Sequence, residues 1–519
     1  MSEIRCARFG LRDRDETRPA TVAAFARTRV SARVMSHARK PAFWRTRLLT
    51  VAGLVALRSV NSIARLLVRN VPVVVSLLWV SATVTVCAAD DATADPAADA
   101  TGVPVVIETS QTTTATPSEP LQAGRLQAIN SRGIVIETTQ GERVTVSREQ
   151  ILSVRVADLA DERSPATDAS GWLILTTGDL LRLRPLMIDE VAITARWEKY
   201  PELPAISIPL ELCSGYAFSV SSEPDRQGRD FVTISNRTAK SDLVTLRNGD
   251  RIDGEFVGLQ NESVTIAAQA GETAIEVSQI RSVAFNPDLI SRPDIPTSFS
   301  TLLLRDGSVL WLRDFSSNGD VLLCTLLSGT EVVLPVSIMR EIRMFDSHRQ
   351  SVSTRTGVRA EAGDGAEAGD GVASLSQQVT TIPFLSTSRA DVLNRNVLGS
   401  PVLVRGRRFA TSFGTTSGSS RSITLGGRFA EFRTSVGIDD AARERGSAIF
   451  EILTDGESAW RSTVVTGSSE LVTAPPIPLT GVATLTLRIH YADHGDVCDY
   501  ANWLDPVLLT SATKAASAP

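Results

Sequence analysis

A unit of alternating strands and glycine turns recurs through the middle of this 519-residue chain, and it limits the fold more than any single motif does. Aligned without gaps on Gly124 and Gly254, the sequence sets Leu126 on Phe256, Ile129 on Leu259, and Ile134 and Ile136 on Val264 and Ile266. One residue of slippage later, Ile151 and Val154 meet Ile280 and Val283. A second alignment joins the turns at 175–179, 246–250 and 304–308, and Gly249 to Gly271 covers the same 22 residues as Gly307 to Gly329. Between residues 121 and 346 the unit recurs about four times.

Inside a unit, Val264, Ile266 and Ala268 face one way and Thr265 and Ala267 the other, the period of a half-buried strand. Asn248-Gly249-Asp250 suits a tight hairpin, because Asn and Gly tolerate positive φ. A unit of ~45 to 60 residues has little core of its own and must close on itself or pack on a neighbour. In strand count and turn placement the units resemble small SH3-like or Sm-like barrels. They have few aromatics and scattered charge, so no nucleic-acid groove is expected. Spacer or protein-contact modules, with envelope proteins as candidate partners, is the expected role.

Charge divides the chain sharply. Residues 1–70 carry 15 Lys/Arg against four acids, leaving 38 against 54 beyond them. Behind this basic flank, residues 71–89 (VPVVVSLLWVSATVTVCAA) are uncharged, end in small residues and are followed by Asp90 and Asp91. That is the order of an export signal cut near Ala89. The run is also long enough for a single uncleaved membrane anchor, and Met35 is an alternative start. Either way the expectation is an exported protein that meets the membrane only through its leader. Cys213, Cys324 and Cys498 form no disulfide framework or metal-binding spacing.

Two low-complexity stretches set the expected boundaries. Residues 90–120 are rich in Ala, Asp, Thr and Pro and read as a tether, and 347–380 contain AEAGDG twice in succession and read as a linker. The expected domains are therefore a leader (1–89), the tether, the repeats (121–346), the linker, a terminal sandwich (381–512) and a tail (513–519).

In the terminal segment, Phe432, Thr434, Val436 and Ile438 alternate with Glu431, Arg433, Ser435 and Gly437, while Leu485, Leu487 and Ile489 alternate with Thr486, Arg488 and His490. Two such sheets pack face to face as a jelly-roll. Phe384-Leu385-Ser386, the strand end Ser435 to Asp440 (SVGIDD), Gly446 to Ile452 (GSAIFEI) before Asp455-Gly456, and the closing run Asp496 to Leu504 (DVCDYANWL) together resemble the NPCBM family of carbohydrate-binding modules. The resemblance covers about 135 residues and implies a galactose-binding-like β-sandwich that recognises a polysaccharide. Residues 410–416 lack the histidine many members have there. The predicted fold class is thus all-β: tandem small β-barrel-like repeats, then a jelly-roll sandwich.

Sugar binding needs an apolar or aromatic platform beside carboxylates and amides. Asp439, Asp440, Tyr491, His494, Asp499, Tyr500 and Asn502 are the candidates, with Trp503 either core or platform and Asp439-Asp440 either ligands or a turn cap. Asp493, Asp496 and Asp499 around Gly495 would suit a structural Ca²⁺, although not with EF-hand spacing; no other cofactor is expected. No HExxH, GxSxG, P-loop or dinucleotide fingerprint occurs. Asp439 and Asp440 are adjacent, hence on opposite sides of a strand, unlike the facing acids of a glycosidase. The expected function is non-catalytic polysaccharide binding; the alternative is an envelope scaffold whose sandwich has lost its sugar.

Overall fold

The computed structural model describes residues 102–110, 121–157, 171–318, 320–354, 375–379, 392–493, 495 and 497–510. The basic leader and its apolar run lie outside them. No helix of the described residues is long and apolar enough to cross a membrane.

Four five-stranded units follow one another. The first comprises β1 (Val103–Thr109), β2 (Leu121–Asn130), β3 (Gly133–Glu137), β4 (Arg143–Ser147) and β5 (Ile151–Val156). The second has β6 (Trp172–Leu175), β7 (Leu180–Ile188), β8 (Ala192–Trp197), β9 (Ile206–Pro209) and β10 (Cys213–Ala217). The third has β11 (Asp242–Leu246), β12 (Arg251–Gln260), β13 (Ser263–Ala268), β14 (Gly271–Glu276) and β15 (Ile280–Ala284). The fourth has β16 (Phe299–Leu304), β17 (Val309–Asn318), β18 (Val321–Leu326), β19 (Glu331–Pro335) and β20 (Met339–Phe345). In each, a 3₁₀ turn joins the fourth strand to the fifth, and the fifth returns to the first: Val154 lies opposite Ile107, Trp172 opposite Ala217, Val283 opposite Val244, and Ile342 opposite Leu302. That closure hides strand edges that a lone hairpin would expose.

The glycine on which the repeat aligns has a physical reason. A Cβ on Gly124 would stand 2.7 Å from the Glu137 carbonyl oxygen, and one on Gly254 2.4 Å from that of Ala267. The second strand also carries a one-residue bulge in every unit, for example between Leu126 and Ala128 and between Phe256 and Gly258, which bends it around the barrel.

The units pair by one rule. β5 of the first meets β20 of the fourth with Val154 opposite Ile342, and β10 of the second meets β15 of the third with Tyr216 opposite Val283. These are equivalent positions, so each contact is self-complementary, as in a two-fold dimer. The second and fourth units touch through Leu180 and Val309, again equivalent residues.

The helix α1 (Pro224–Ser235) departs from the all-strand expectation for the repeats. Pro224 is pre-set for a first helical position, and Gly228, Phe231 and Ile234 form its buried stripe. A Cβ on Gly228 would lie 2.0 Å from the Leu398 carbonyl oxygen, so the helix backbone touches the sandwich directly.

The sandwich is built from β21 (Arg349–Ser351), β22 (Leu375–Val379), β23 (Val392–Leu393), β24 (Leu403–Val404), β25 (Arg407–Arg408), β26 (Ser412–Thr415), β27 (Ser419–Thr424), β28 (Phe429–Ile438), β29 (Ser447–Thr454), β30 (Glu457–Arg461), β31 (Val465–Thr466), β32 (Val472–Thr473), β33 (Ile477–Pro478), β34 (Thr484–Tyr491) and β35 (Ala501–Thr510). One sheet runs β23-β26-β35-β28-β32, the other β22-β27-β34-β29-β30. Phe432 and Val436 from β28, Phe450 and Ile452 from β29, and Leu485, Leu487 and Ile489 from β34 fill the space between them. The rings of Phe450 and Trp503 meet edge to face at 5.2 Å, so Trp503 is a core residue.

The structure draws some boundaries differently from the sequence reading. β1 falls within the stretch assigned to the tether, yet Val105 and Ile107 are fully buried: the average composition of 90–120 masked a short alternating run. β21 and β22 fall within the stretch assigned to the linker and pair with β35 and β27. Repeats and sandwich also share a junction. Val507 and Leu509 of β35 join a cluster with Trp172, Phe231, Trp311 and Phe345. Beside it Arg343 reaches Asp505 at 3.0 Å, and Arg407 reaches the buried Glu341 at 2.7 Å.

Candidate functional site

At the end of β28, Asp439 caps the short 3₁₀ turn Asp440–Ala442. Its Oδ1 accepts from the Ala441 amide and the Asn396 Nδ2, both at 3.0 Å; its Oδ2 accepts from the Leu403 amide at 3.2 Å and the Asn502 Nδ2 at 3.5 Å. Burial penalises the charged form more than these donors favour it, so the carboxyl is pushed up to about 7. Asp440 points the other way and accepts from the Arg405 and Gly406 amides, both at 2.7 Å, pinning the β24–β25 turn where Arg405 and Gly406 have positive φ. The two acids act as ties within the loop framework.

Asp499 is also buried. It accepts from the Ser447 amide at 2.7 Å and the Ser417 hydroxyl at 2.5 Å. Asn502, fully buried on β35, donates to Asp439 and to the Tyr500 carbonyl. Tyr500 packs half-buried against the sandwich core. Of the predicted loop residues, Tyr491 presents its ring to solvent, at 46 % exposure. It lies across Gly418 (φ 79°), where a Cβ would stand 2.3 Å from the Tyr491 hydroxyl. Val497 is 59 % exposed, and Gly446 fits against the Cys498 carbonyl oxygen with no room for a Cβ. The turns at 416–418 and 443–446 therefore gather with Tyr491 and residues 497–500 at one end of the sandwich. His494 and Asp496 lie outside the described residues.

The structure thus splits the predicted residues into two sets. Asp439, Asp440, Asp499 and Asn502 build the loop framework, and Tyr491 stands exposed upon it. Of the acids considered for calcium, Asp499 already has its donors. Among the described residues no group of three or more His, Cys, Asp or Glu is placed to hold a metal.

Sequence reasoning missed a cavity of about 260 Å³ walled by Trp172, α1, Leu403, Arg408 and Asp439. The Arg182 and Arg408 guanidiniums lie 5.3 and 5.0 Å from the Trp172 ring centre. Burial and the nearby Arg182 lower the Arg408 pKa to about 10, and its Nε is buried with no hydrogen-bond partner among the described residues. Its walls come from segments more than two hundred residues apart, and no local motif signals that.

Comparison with known proteins agrees with the domain read from the motifs. Residues 377–509 match the family model of the NPCBM/NEW2 domain. A curated relative, "Putative endo-alpha-N-acetylgalactosaminidase" of Renibacterium salmoninarum, is 27 % identical over 117 residues, which are 22 % of this chain and 8 % of that protein. The chain therefore spans a small fraction of that relative's length. Among solved structures, CBM51 from Clostridium perfringens GH95 in complex with methyl-galactose is similar at 18 % identity and a TM-score of 0.24, over 31 % of this chain and 99 % of that one. The M60 catalytic domain with two CBM51 domains from Clostridium perfringens ZmpB is similar at 14 % identity and a TM-score of 0.24, over 78 % of this chain and 43 % of that one.

Proposed function

We propose that this protein is exported and binds a polysaccharide through its C-terminal sandwich without turning it over, the sugar ring seating on Tyr491. The observation that carries the reading is an exposed tyrosine beside a hydrogen-bonded loop cluster in a domain that matches the NPCBM/NEW2 family. An aromatic face offers C–H contact to a pyranose, and the half-exposed ring loses little entropy on binding. The non-catalytic part is supported by the fate of Asp439 and Asp499, both buried and already hydrogen-bonded. Binding needs no cofactor in this reading. Export rests on the basic flank and the apolar run at 71–89; mass spectrometry of the native N-terminus tests it, with a start near Asp90 for a cleaved signal and an intact leader in the membrane fraction for an anchor.

A scaffold role is the second reading, favoured by the junction in which Asp505 and Arg407 of the sandwich engage Arg343 and Glu341 of the repeats. A glycan array on the full chain separates the two. Glycan binding that Tyr491→Ala weakens about tenfold supports the first; no binding to any glycan, with envelope proteins retained by the repeats, supports the second.

A further inference from the structure

A second pocket, of about 330 Å³, is lined only by α1 and the third repeat. Five arginines surround it: Arg226 and Arg229 from the helix, Arg247 and Arg251 from the β11–β12 hairpin, and Arg281 from β15. A single carboxylate, Asp230, lines it with them. Arg226 is paired with Glu223 at 2.9 Å, and Arg281 is held by Asp230 at 3.7 Å while donating to the Arg247 carbonyl at 2.8 Å. The guanidiniums of Arg229, Arg247 and Arg251 make no hydrogen bond or ion pair among the described residues. At the floor, the buried Thr245 hydroxyl also has no partner among them.

Stability does not account for this arrangement. Like charges gathered around one pocket repel one another. Arg226 stands in the first turn of α1, where the helix dipole disfavours a cation, and the last turn holds no basic residue. Beyond residue 70 the chain has 54 acids for 38 bases, so carboxylates to neutralise the patch are plentiful elsewhere. Three guanidiniums without a hydrogen bond, Arg229 among them despite its attraction to Asp230, and an unused hydroxyl instead supply the forked donors that carboxylate and sulfate groups accept, against one opposing carboxylate, Asp230, whose buried Oδ2 has no partner among the described residues. No aromatic side chain lines the pocket, so nucleic-acid bases would find nothing to stack on.

We propose that this pocket binds the carboxylate or sulfate groups of an acidic polysaccharide through Arg229, Arg247 and Arg251. The site stands on its own geometry; the choice of a saccharide over other polyanions rests on the carbohydrate-binding reading above. Titration calorimetry on the full chain tests it with polygalacturonate, dextran sulfate, neutral dextran and an oligothymidylate of matched charge. The expected result is binding of one or both acidic saccharides that weakens as salt rises, with neutral dextran and oligothymidylate bound at least ~10-fold more weakly. In Arg229→Gln/Arg247→Gln/Arg251→Gln that affinity should fall ~10-fold or more with an unchanged melting temperature, since all three side chains are solvent-facing. Tyr491→Ala should leave it intact, so a parent chain that binds acidic saccharides but no neutral glycan would count only against the sandwich site. Equal affinity of the triple variant, oligothymidylate binding as tight as the acidic saccharides, or no binding of either acidic saccharide would each overturn the proposal.

Discussion

Trp311 donates its backbone N–H to the buried carboxylate of Asp179 at 2.7 Å, and the equivalent exchange runs back from the Arg182 amide to the Ser308 hydroxyl at 2.9 Å. The second and fourth repeats are thus joined by a reciprocal pair of side-chain-to-backbone bonds, with Thr177 also donating to Asp179. Removing an acceptor leaves buried donors unpaired. Asp179→Ala should lower unfolding free energy by about 2 to 4 kcal/mol in urea titrations, because two donors are orphaned. Ser308→Ala, which orphans one donor, the Arg182 amide, and takes the hydroxyl donor from the buried Asp306 carboxylate, should cost about 1 to 3 kcal/mol. Equal and negligible effects would show that the repeats do not depend on this joint.

Much of this architecture is readable in the chain, and the exceptions have physical reasons. Val264 and Ile266 alternate as a two-sided strand must, and Gly124 and Gly254 recur because a neighbouring carbonyl leaves no room for a side chain. The pairing of Val154 with Ile342 is not readable, since every unit ends in a similar strand and nothing local says which two will meet. Helix α1 is equally hidden: Gly228, Val232 and Thr233 disfavour a helix in isolation, and its packing partner Leu398 lies far along the chain. The site is the harder case. Asp499 and Asn502 sit in a polar run of sequence and read as exposed, but Ser417 and Ser447 in one case and Asp439 in the other draw them inside.

Asp179 and Asp439 are two of six described carboxyls that burial raises, the others being Asp230, Asp242, Asp306 and Asp505, and together they set a pH dependence. Asp179 is pushed up to about 6 and Asp439 to about 7, in both cases chiefly by burial, from an ordinary value of 3.8. Between those limits the folded protein keeps protons that the unfolded chain has released. Their contribution is therefore full below pH ~4 and is lost as pH climbs through 6 and 7. Glu341 and Asp346 oppose this: despite burial, neighbouring arginines hold both below their ordinary values, and their contribution is lost only on acidification. Melting temperature should peak near pH ~5 and decline toward pH 8. Asp439→Asn, which cannot ionise, should flatten the slope between about pH 6 and 8 at some cost in stability at every pH. A wild-type melting temperature that is level or rising over pH 5 to 8 would refute the assignment.

Gly228 gives a test whose sign distinguishes two views of α1. In an exposed helix, Gly→Ala adds about 1 kcal/mol of stability. Here the added methyl would sit 2.0 Å from the Leu398 carbonyl oxygen. Gly228→Ala should instead destabilise the full chain by roughly 1 to 3 kcal/mol, the range for overpacking. Gly249→Ala is the control: a Cβ there meets nothing within 4 Å, so any loss comes from its φ of 99° alone. A gain in melting temperature for Gly228→Ala would mean that α1 does not rest on the sandwich as described.

Tyr491, Tyr500 and Trp503 separate binding from stability across the end of β34, the following loop and β35. Tyr491 is 46 % exposed, Tyr500 is half-buried against the core, and Trp503 is 2 % exposed with its ring against Phe450. Removing the Trp503 ring opens a cavity between the sheets, so Trp503→Ala should cost about 3 to 5 kcal/mol and affect binding only through loss of fold. Tyr500→Ala should fall between, lowering stability by about 1 to 2 kcal/mol because part of its ring is already in water. Tyr491→Ala should leave the melting temperature nearly unchanged and weaken glycan binding about tenfold, the scale of losing one aromatic platform. Calorimetric titration with a glycan selected on the array, beside thermal melts of the three variants, reads both quantities. If Tyr491→Ala binds as tightly as the parent, the sugar does not rest on this ring, and the 260 Å³ cavity beside Arg408 and Asp439 becomes the place to look.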